Sequence, residues 1–364
     1  MKLEQMPRYP LLCGFTPLQR MENLEQALGC GPLYIKRDDL TPLGLGGNKT
    51  RKLEFLLGDA LAGGADTLVT VGGVQTNHGR LTAAAAAKAG LACTLVLDGA
   101  RPEKLSGNLL LDCLLGASLV YTDGRSTSAV IEETLAALQA AGRAPYFIPE
   151  GGSNAVGSAG YLAMVPELLA QADSLPVPPA RLVCTMGSLG TFAGLWLGAR
   201  AFGAPFSVTG VAVNPTTGYT REKAAALVNE MSAAYGLDIA AAPEDMDIIY
   251  ADAAHDYAGP GYNVPDAKTR GAVELLARTE GIFLDRTDDR IPKLANLISL
   301  GHRELIYTFL GKGYVDAVAA HEESVVQYMK DYDASFRILE EPLMITGIGV
   351  AFAKDDDRGI CEQM

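Results

Sequence analysis

The sequence is short of metal-binding patterns. Its six cysteines (Cys13, Cys30, Cys93, Cys113, Cys184 and Cys361) include no CxxC pair, and its four histidines (His78, His255, His302 and His321) lack ligand spacing. Structural zinc is therefore not expected. Four of the cysteines lie in apolar stretches, where a free thiol is predicted to pack as a small hydrophobe. Basic charge is also scarce: 30 Lys and Arg face 43 Asp and Glu, a formal net charge of −13 with no basic patch. Such a chain repels a phosphate backbone, which argues against a nucleic-acid partner. No apolar run follows Met1-Lys2-Leu3-Glu4-Gln5-Met6-Pro7, so no signal peptide is expected and the cytoplasm is the default compartment. Leu182 to Ala199 is uncharged and about as long as a membrane span. It contains Thr185, Gly187, Ser188, Gly190, Thr191 and Gly194, however, and reads better as strand, glycine loop and helix, with no membrane partner.

What remains is ordinary globular material: 364 residues, 48% hydrophobic and 20% charged, enough for two cores. From about residue 50 to 215, short β-branched runs alternate with helical runs. Thr67 to Val71, Thr94 to Leu97, Leu119 to Thr122, Tyr146 to Pro149, Arg181 to Thr185, Ser207 to Asn214 and Asp247 to Tyr250 read as strands. Leu81 to Ala89, Gly107 to Leu115 and Ala129 to Ala141 read as helices. The alternation predicts an α/β chain with open, twisted, mostly parallel sheets covered on both faces, two of them. Ser174-Leu175-Pro176-Val177-Pro178-Pro179 is the clearest linker.

Three glycine-rich segments carry chemistry. In Gly46-Gly47-Asn48-Lys49-Thr50-Arg51-Lys52-Leu53-Glu54, Asn48 is placed to N-cap a helix whose apolar stripe is Leu53, Leu56, Leu57, Ala60 and Leu61. Lys49 then sits at the positive end of the helix dipole, where a cation is disfavoured by roughly 0.3–1 kcal/mol and a free, nucleophilic amine is favoured. A solvated surface lysine fits the same spacing. The segment is no P-loop, because Asn48 occupies the second glycine position and Arg37 to Pro42 form no buried strand. Gly72-Gly73-Val74-Gln75-Thr76-Asn77-His78-Gly79 lies at the carboxyl end of a strand, where successive amides make a carboxylate nest and Thr76 and Asn77 can reach a ligand. Met186-Gly187-Ser188-Leu189-Gly190-Thr191 makes a phosphate cradle at a helix start, without the acidic residue a dinucleotide ribose needs. Lysine, nest and cradle together suit pyridoxal 5′-phosphate.

Leu33-Tyr34-Ile35-Lys36-Arg37-Asp38-Asp39, the Lys49 segment, Gly72 to His78, Gly151-Gly152-Ser153-Asn154 and Gly259-Pro260-Gly261-Tyr262 occur in that order. Over residues 1 to about 285 this pattern resembles the D-cysteine desulfhydrase / 1-aminocyclopropane-1-carboxylate deaminase family of fold-type-II, tryptophan-synthase-β-like pyridoxal-phosphate enzymes. The resemblance implies a homodimer acting on a small amino acid. It implies a larger cofactor domain from 1–48 plus 162–285 and a smaller domain over 49–161. It makes Lys49 the Schiff-base lysine, Thr76 a contact of the substrate carboxylate and Tyr262 an active-site tyrosine. Lys52, Asn77, Ser188, Leu189, Gly190 and Thr191 join Lys49 as cofactor-binding residues, with Asn77 at the phenolic oxygen and Leu189 replacing the usual glycine. The activity implied first is conversion of D-cysteine to pyruvate, sulfide and ammonia, with aminocyclopropane ring opening as the rival.

Beyond Asp285 the family pattern stops. Arg286-Thr287-Asp288-Asp289-Arg290-Ile291-Pro292-Lys293 replaces a Pro-Val-Tyr stretch, leaving Asp289 either as a partner of the pyridine nitrogen or as a surface residue. Segments within 311–358, such as Gly349 to Asp356, resemble part of a bacterial amino-acid solute-binding protein. Residues 286–364 therefore read as an atypical, fused or rearranged C-terminus, and an inactive chimeric chain is the alternative to an enzyme.

Overall fold

The structure is a computed structural model that describes residues 2–213, 220–250 and 267–283, together with three strands of the C-terminal region. The chain divides into two compact units, Met1–Thr287 and Asp288–Met364.

The first unit begins with a small antiparallel pair, β1 (Leu18–Arg20) and β2 (Tyr34–Lys36), separated by helix α1 (Glu22–Leu28). Then come α2 (Lys49–Ala62), β3 (Thr67–Gly73), α3 (Asn77–Ala89), β4 (Ala92–Asp98), α4 (Gly107–Leu114), β5 (Ser118–Tyr121), α5 (Thr127–Ala140) and β6 (Pro145–Ile148). The four strands form a wholly parallel sheet in the order β5-β4-β3-β6. Because successive side chains alternate faces, Leu68, Leu95 and Leu97 pack with α2 and α3 on one side, while Val69 and Val96 meet Val130 of α5 on the other. Two covered faces explain why these strands read as continuous apolar runs.

A second parallel sheet follows helices α6 (Ala155–Leu162) and α7 (Met164–Ala172). It contains β7 (Arg181–Met186), β8 (Ser207–Ala212) and β9 (Ile248–Ile249) in sequence order, with α8 (Gly190–Ala201) and α9 (Arg221–Tyr235) between the strands and α10 (Ala267–Glu280) after them. Its core joins Met186, Phe192, Val208 and Ile248 to the apolar faces of α6 to α9. The uncharged stretch from Leu182 is thus β7 followed by α8, and among the described residues no helix is long and apolar enough to cross a membrane. The second unit shows three antiparallel strands, β10 (Ala317–His321), β11 (Phe336–Ile338) and β12 (Ile348–Ala353), with β12 in the middle.

Two sequence expectations are corrected. Leu61 does not complete the buried stripe of α2; it is 37% exposed, while Thr50, Arg51, Lys52 and Glu54 are buried beside Leu53, Leu56, Leu57 and Ala60. The helix is enclosed on nearly all sides, so its charged positions are held by partners rather than water. Cys13, Cys30 and Cys113 are exposed, leaving Cys93 as the fully buried thiol among the described cysteines. Local apolar context did not place them inside, because Cys13 and Cys30 lie in irregular segments and Cys113 on the outer face of α4.

One buried acid has a thermodynamic consequence. Asp112 on α4 is fully buried and neither of its oxygens is hydrogen-bonded. Burial pushes its carboxyl up to about 7, against the opposing pull of the Arg80 charge. Between pH 4 and 7 the unfolded chain sheds this proton and the folded chain keeps it, so stability falls as pH rises through that window. From pH 5 to 8, Asp112→Asn is expected to gain about 3 kcal/mol on the parent, since each pKa unit is worth about 1.4 kcal/mol. Urea unfolding followed through the fluorescence of the single tryptophan, Trp196, measures it; parallel pH profiles for the two proteins would refute it.

Candidate active site

Lys49 opens α2 and is half-buried, so it is not a solvated surface lysine. Its Nζ donates to Asn48 Oδ1 at 3.1 Å. The predicted side-chain cap by Asn48 is corrected. Its backbone is already helical (φ −58°, ψ −24°), and the side chain accepts no amide of the first turn. A bonding N-cap residue normally has extended backbone. Here the amide oxygen faces the lysine amine instead.

Two successive left-handed residues, Gly151 (φ 64°) and Gly152 (φ 60°), build the opposite wall. This conformation strains any residue with a Cβ, and space forbids one as well. A Cβ on Gly151 would lie 2.6 Å from Ser188 Oγ and 3.6 Å from Lys49 Cε, so the turn, the Ser188 loop and the lysine converge there. The Gly151 carbonyl accepts from Lys52 Nζ at 2.9 Å.

Lys52 is fully buried, and among the described residues no carboxylate bonds to it; its second partner is Ser153 Oγ at 3.2 Å. Burial, and then the nearby charge of Lys49, push its pKa well down. A buried ammonium held only by neutral acceptors is poised for an anion. Around it stand Ser153 Oγ, which donates to Ser188 Oγ at 2.8 Å and accepts from Gly190 N at 3.2 Å, and Ser158 Oγ, buried with no partner. A Cβ on Gly190 would fall 2.8 Å from both Lys52 Nζ and Ser158 Oγ. Leu189 and Thr191, both buried, flank Gly190 at the start of α8, where free amides carry partial positive charge. An orphan hydroxyl, an unpaired-by-acid lysine and a helix start around one glycine fit a phosphate group, and hence pyridoxal phosphate.

The third wall is the β3–α3 loop. Thr76 N-caps α3, its Oγ1 accepting from Gly79 N at 3.3 Å, which leaves the hydroxyl hydrogen to donate elsewhere. Asn77 follows as the first helical residue and accepts from Asn108 Nδ2 at 2.8 Å through Oδ1. His78 is buried beneath; its Nε2 pairs with Thr70 Oγ1 at 2.8 Å, and burial, then the charges of Lys49 and Lys52, push its pKa well down. A neutral imidazole therefore lies under the site. Tyr262 and Asp289 lie outside the described residues.

The loop, the lysine and the cradle thus gather Lys49, Lys52, Ser188, Leu189, Gly190 and Thr191, with Thr76, Asn77 and His78 on the adjoining wall. Sequence reasoning missed Ser158. Its signal was a run of small residues, Gly157-Ser158-Ala159-Gly160, on a helix packed against α8.

A family model described as "Pyridoxal-phosphate dependent enzyme" matches residues 10–287. The chain belongs to that family. Members use pyridoxal phosphate, and the cradle above is where its phosphate fits. The chain is 41% identical over 290 residues to a D-cysteine desulfhydrase of Yersinia enterocolitica, covering 78% of this chain and 85% of that one. It is 38% identical over 286 residues to a putative 1-aminocyclopropane-1-carboxylate deaminase of Pyrococcus abyssi, covering 78% and 83%. Among solved structures, an ACC deaminase homologue superposes with a TM-score of 0.70 at 34% identity, covering 80% of this chain and 88% of the other. This pyridoxal-phosphate enzyme has the expected fold type II, with helices flanking its two parallel sheets. The family match ends at residue 287, so residues 311–358 lie beyond it.

Proposed function

We propose that this chain is a lyase acting on a small amino acid, and specifically a cytoplasmic, homodimeric D-cysteine desulfhydrase. The observation that carries the reading is the meeting of Lys49, the Gly151 turn and the acid-free Lys52 cradle at one place. The 41% identity to a D-cysteine desulfhydrase supports the substrate. When bound, pyridoxal phosphate supplies an electron sink for the charge left on the substrate's α-carbon.

The chain's own residues do the rest. Lys49 Nζ would hold the cofactor, and its amine would carry the substrate's α-proton. Lys52, Ser153, Ser158, Ser188 and the amides of Gly190 and Thr191 would hold the phosphate. Thr76 donates its hydroxyl to the substrate carboxylate while the Gly79 amide fixes its rotamer. Asn77 would face the phenolic oxygen; Tyr262, the active-site tyrosine by resemblance, lies outside the described residues.

The 38% identity to a putative aminocyclopropane-carboxylate deaminase and the likeness to an ACC deaminase homologue favour ring opening as the second reading. Product analysis decides between them. With D-cysteine the purified protein is expected to release pyruvate and sulfide in equal amounts. With 1-aminocyclopropane-1-carboxylate it is expected to release no four-carbon 2-oxo acid. The reverse pattern would replace the first reading by the second, and no product from either would support an inactive chain.

A further inference from the structure

Asn77 sits at a site where the direction of its amide matters, and the hydrogen bonds around it fix that direction. Arg80 on α3 donates from Nη1 to Asn108 Oδ1 at 2.9 Å. A guanidinium only donates, so the atom of Asn108 facing it must be the oxygen. The Asn108 amide nitrogen therefore faces the other way, where it donates to the Gln75 carbonyl at 2.8 Å and to Asn77 at 2.8 Å. A carbonyl only accepts, which gives the same orientation independently. Asn77 must then present Oδ1 to Asn108, and the end of its amide turned away from Asn108 is the nitrogen, a donor.

The same contact is locked from its far side. Ser106 makes no side-chain cap for α4; Gln75 does so from the loop, accepting from Asn108 N at 2.9 Å and donating to the Ser106 carbonyl at 3.1 Å. Arg80 also donates from Nη2 to the Gly46 carbonyl at 2.9 Å, in the turn that leads into Lys49. The start of α4, the β3–α3 loop and the approach to the lysine are thus joined through one asparagine.

We infer that Asn108 is a positioning residue that orients the Asn77 amide so that it donates to the anionic phenolic oxygen of bound pyridoxal phosphate. The inference rests on the proposed placement of Asn77 beside that oxygen. A donor there stabilises the oxygen's negative charge, which otherwise helps to retain the proton on the neighbouring nitrogen joined to Lys49. Reversing the amide would put an acceptor against the oxygen and raise the pH at which that nitrogen loses its proton.

Asn108→Asp makes the reversal. A carboxylate still accepts from Arg80 but cannot donate to Asn77, whose amide must turn its nitrogen inward. An acid in the first turn of α4 suits the helix dipole, so the variant is expected to fold; Asn108→Ala gives a second, uncharged test. The measurement is the visible absorbance of the cofactor-loaded protein titrated with pH. The midpoint is expected to rise by about one unit in Asn108→Asp, a tenfold change in proton affinity, and by less in Asn108→Ala. Asn77→Ala should raise it as well, and adding Asn108→Asp to that variant should move it no further. If Asn77→Ala shifts the midpoint and both Asn108 variants leave it in place, the inference fails while the placement of Asn77 stands. If Asn77→Ala leaves it in place, the placement fails and the inference with it.

Discussion

Lys49→Ala is expected to abolish the visible absorbance band that the loaded enzyme shows, and to lower D-cysteine turnover by roughly 10⁴-fold, the upper end for loss of a positioned proton carrier. Lys52 cannot take over. Its amine is tied to the Gly151 carbonyl and Ser153 Oγ in the proposed phosphate cradle, whereas Lys49 enters from the start of α2 beside Asn48. The fold should be retained, since alanine is a good helix former and the charge removed is one that disfavours the charged forms of Lys52 and His78. The assay pairs absorbance spectra with sulfide release. A variant that keeps the band or most of the turnover would remove Lys49 from the reaction.

Arg51→Leu is expected to be the most destabilising single change in the first unit, costing about 3–5 kcal/mol, the range for breaking a buried ion pair. Arg51 lies in the first turn of α2, two residues after Lys49. It grips Asp38 with Nε and Nη2 at 2.8 and 2.9 Å, and Glu167 with Nη1 and Nη2 at 2.8 and 3.0 Å. Tyr161 Oη and Thr16 Oγ1 each donate to Asp38 at 2.8 Å. Burial by itself would raise Asp38, but Arg51 and the two hydroxyls hold its carboxyl below the ordinary range. Removing the guanidinium leaves two buried carboxylates with hydroxyls, the Thr16 amide and Lys36 as their remaining partners. Arg51→Lys should recover less than half of the loss, because an ammonium cannot bond two carboxylates in bidentate fashion. Urea midpoints from Trp196 fluorescence give the values; a loss under about 1 kcal/mol would mean the network behaves as a solvated one.

The sequence showed the sheets more clearly than the site. Thr67 to Val71 and Thr94 to Leu97 were legible because a strand covered on both faces must be apolar throughout. Lys49, the Thr76 loop and the Ser188 loop were legible because glycine turns next to strand ends are tied to local chain geometry. Long-range partners left no such trace. Arg51, Lys52 and Glu54 are three charges in four residues, yet all are buried: Arg51 on Asp38 and Glu167, Lys52 on the Gly151 turn, and Glu54 accepting from the amides of Leu11 and Leu12 at 2.8 and 2.9 Å. Asn108 was likewise invisible, since its importance comes from meeting a loop 31 residues earlier in the chain.

The Arg51 cluster also sets an order of events during synthesis. Thr16, Lys36, Asp38 and Arg51 emerge from the ribosome first, but Tyr161 and Glu167 follow more than a hundred residues later, the separation between Thr16 and Glu167 being 151 residues. Contacts that distant form late and slowly. Until residue 167 is made, Arg51 has no second carboxylate, and the helix bearing Lys49 lacks half of its anchor. Lys49 is therefore fixed in place only after the first sheet has been completed and the chain has gone on to α6 and α7.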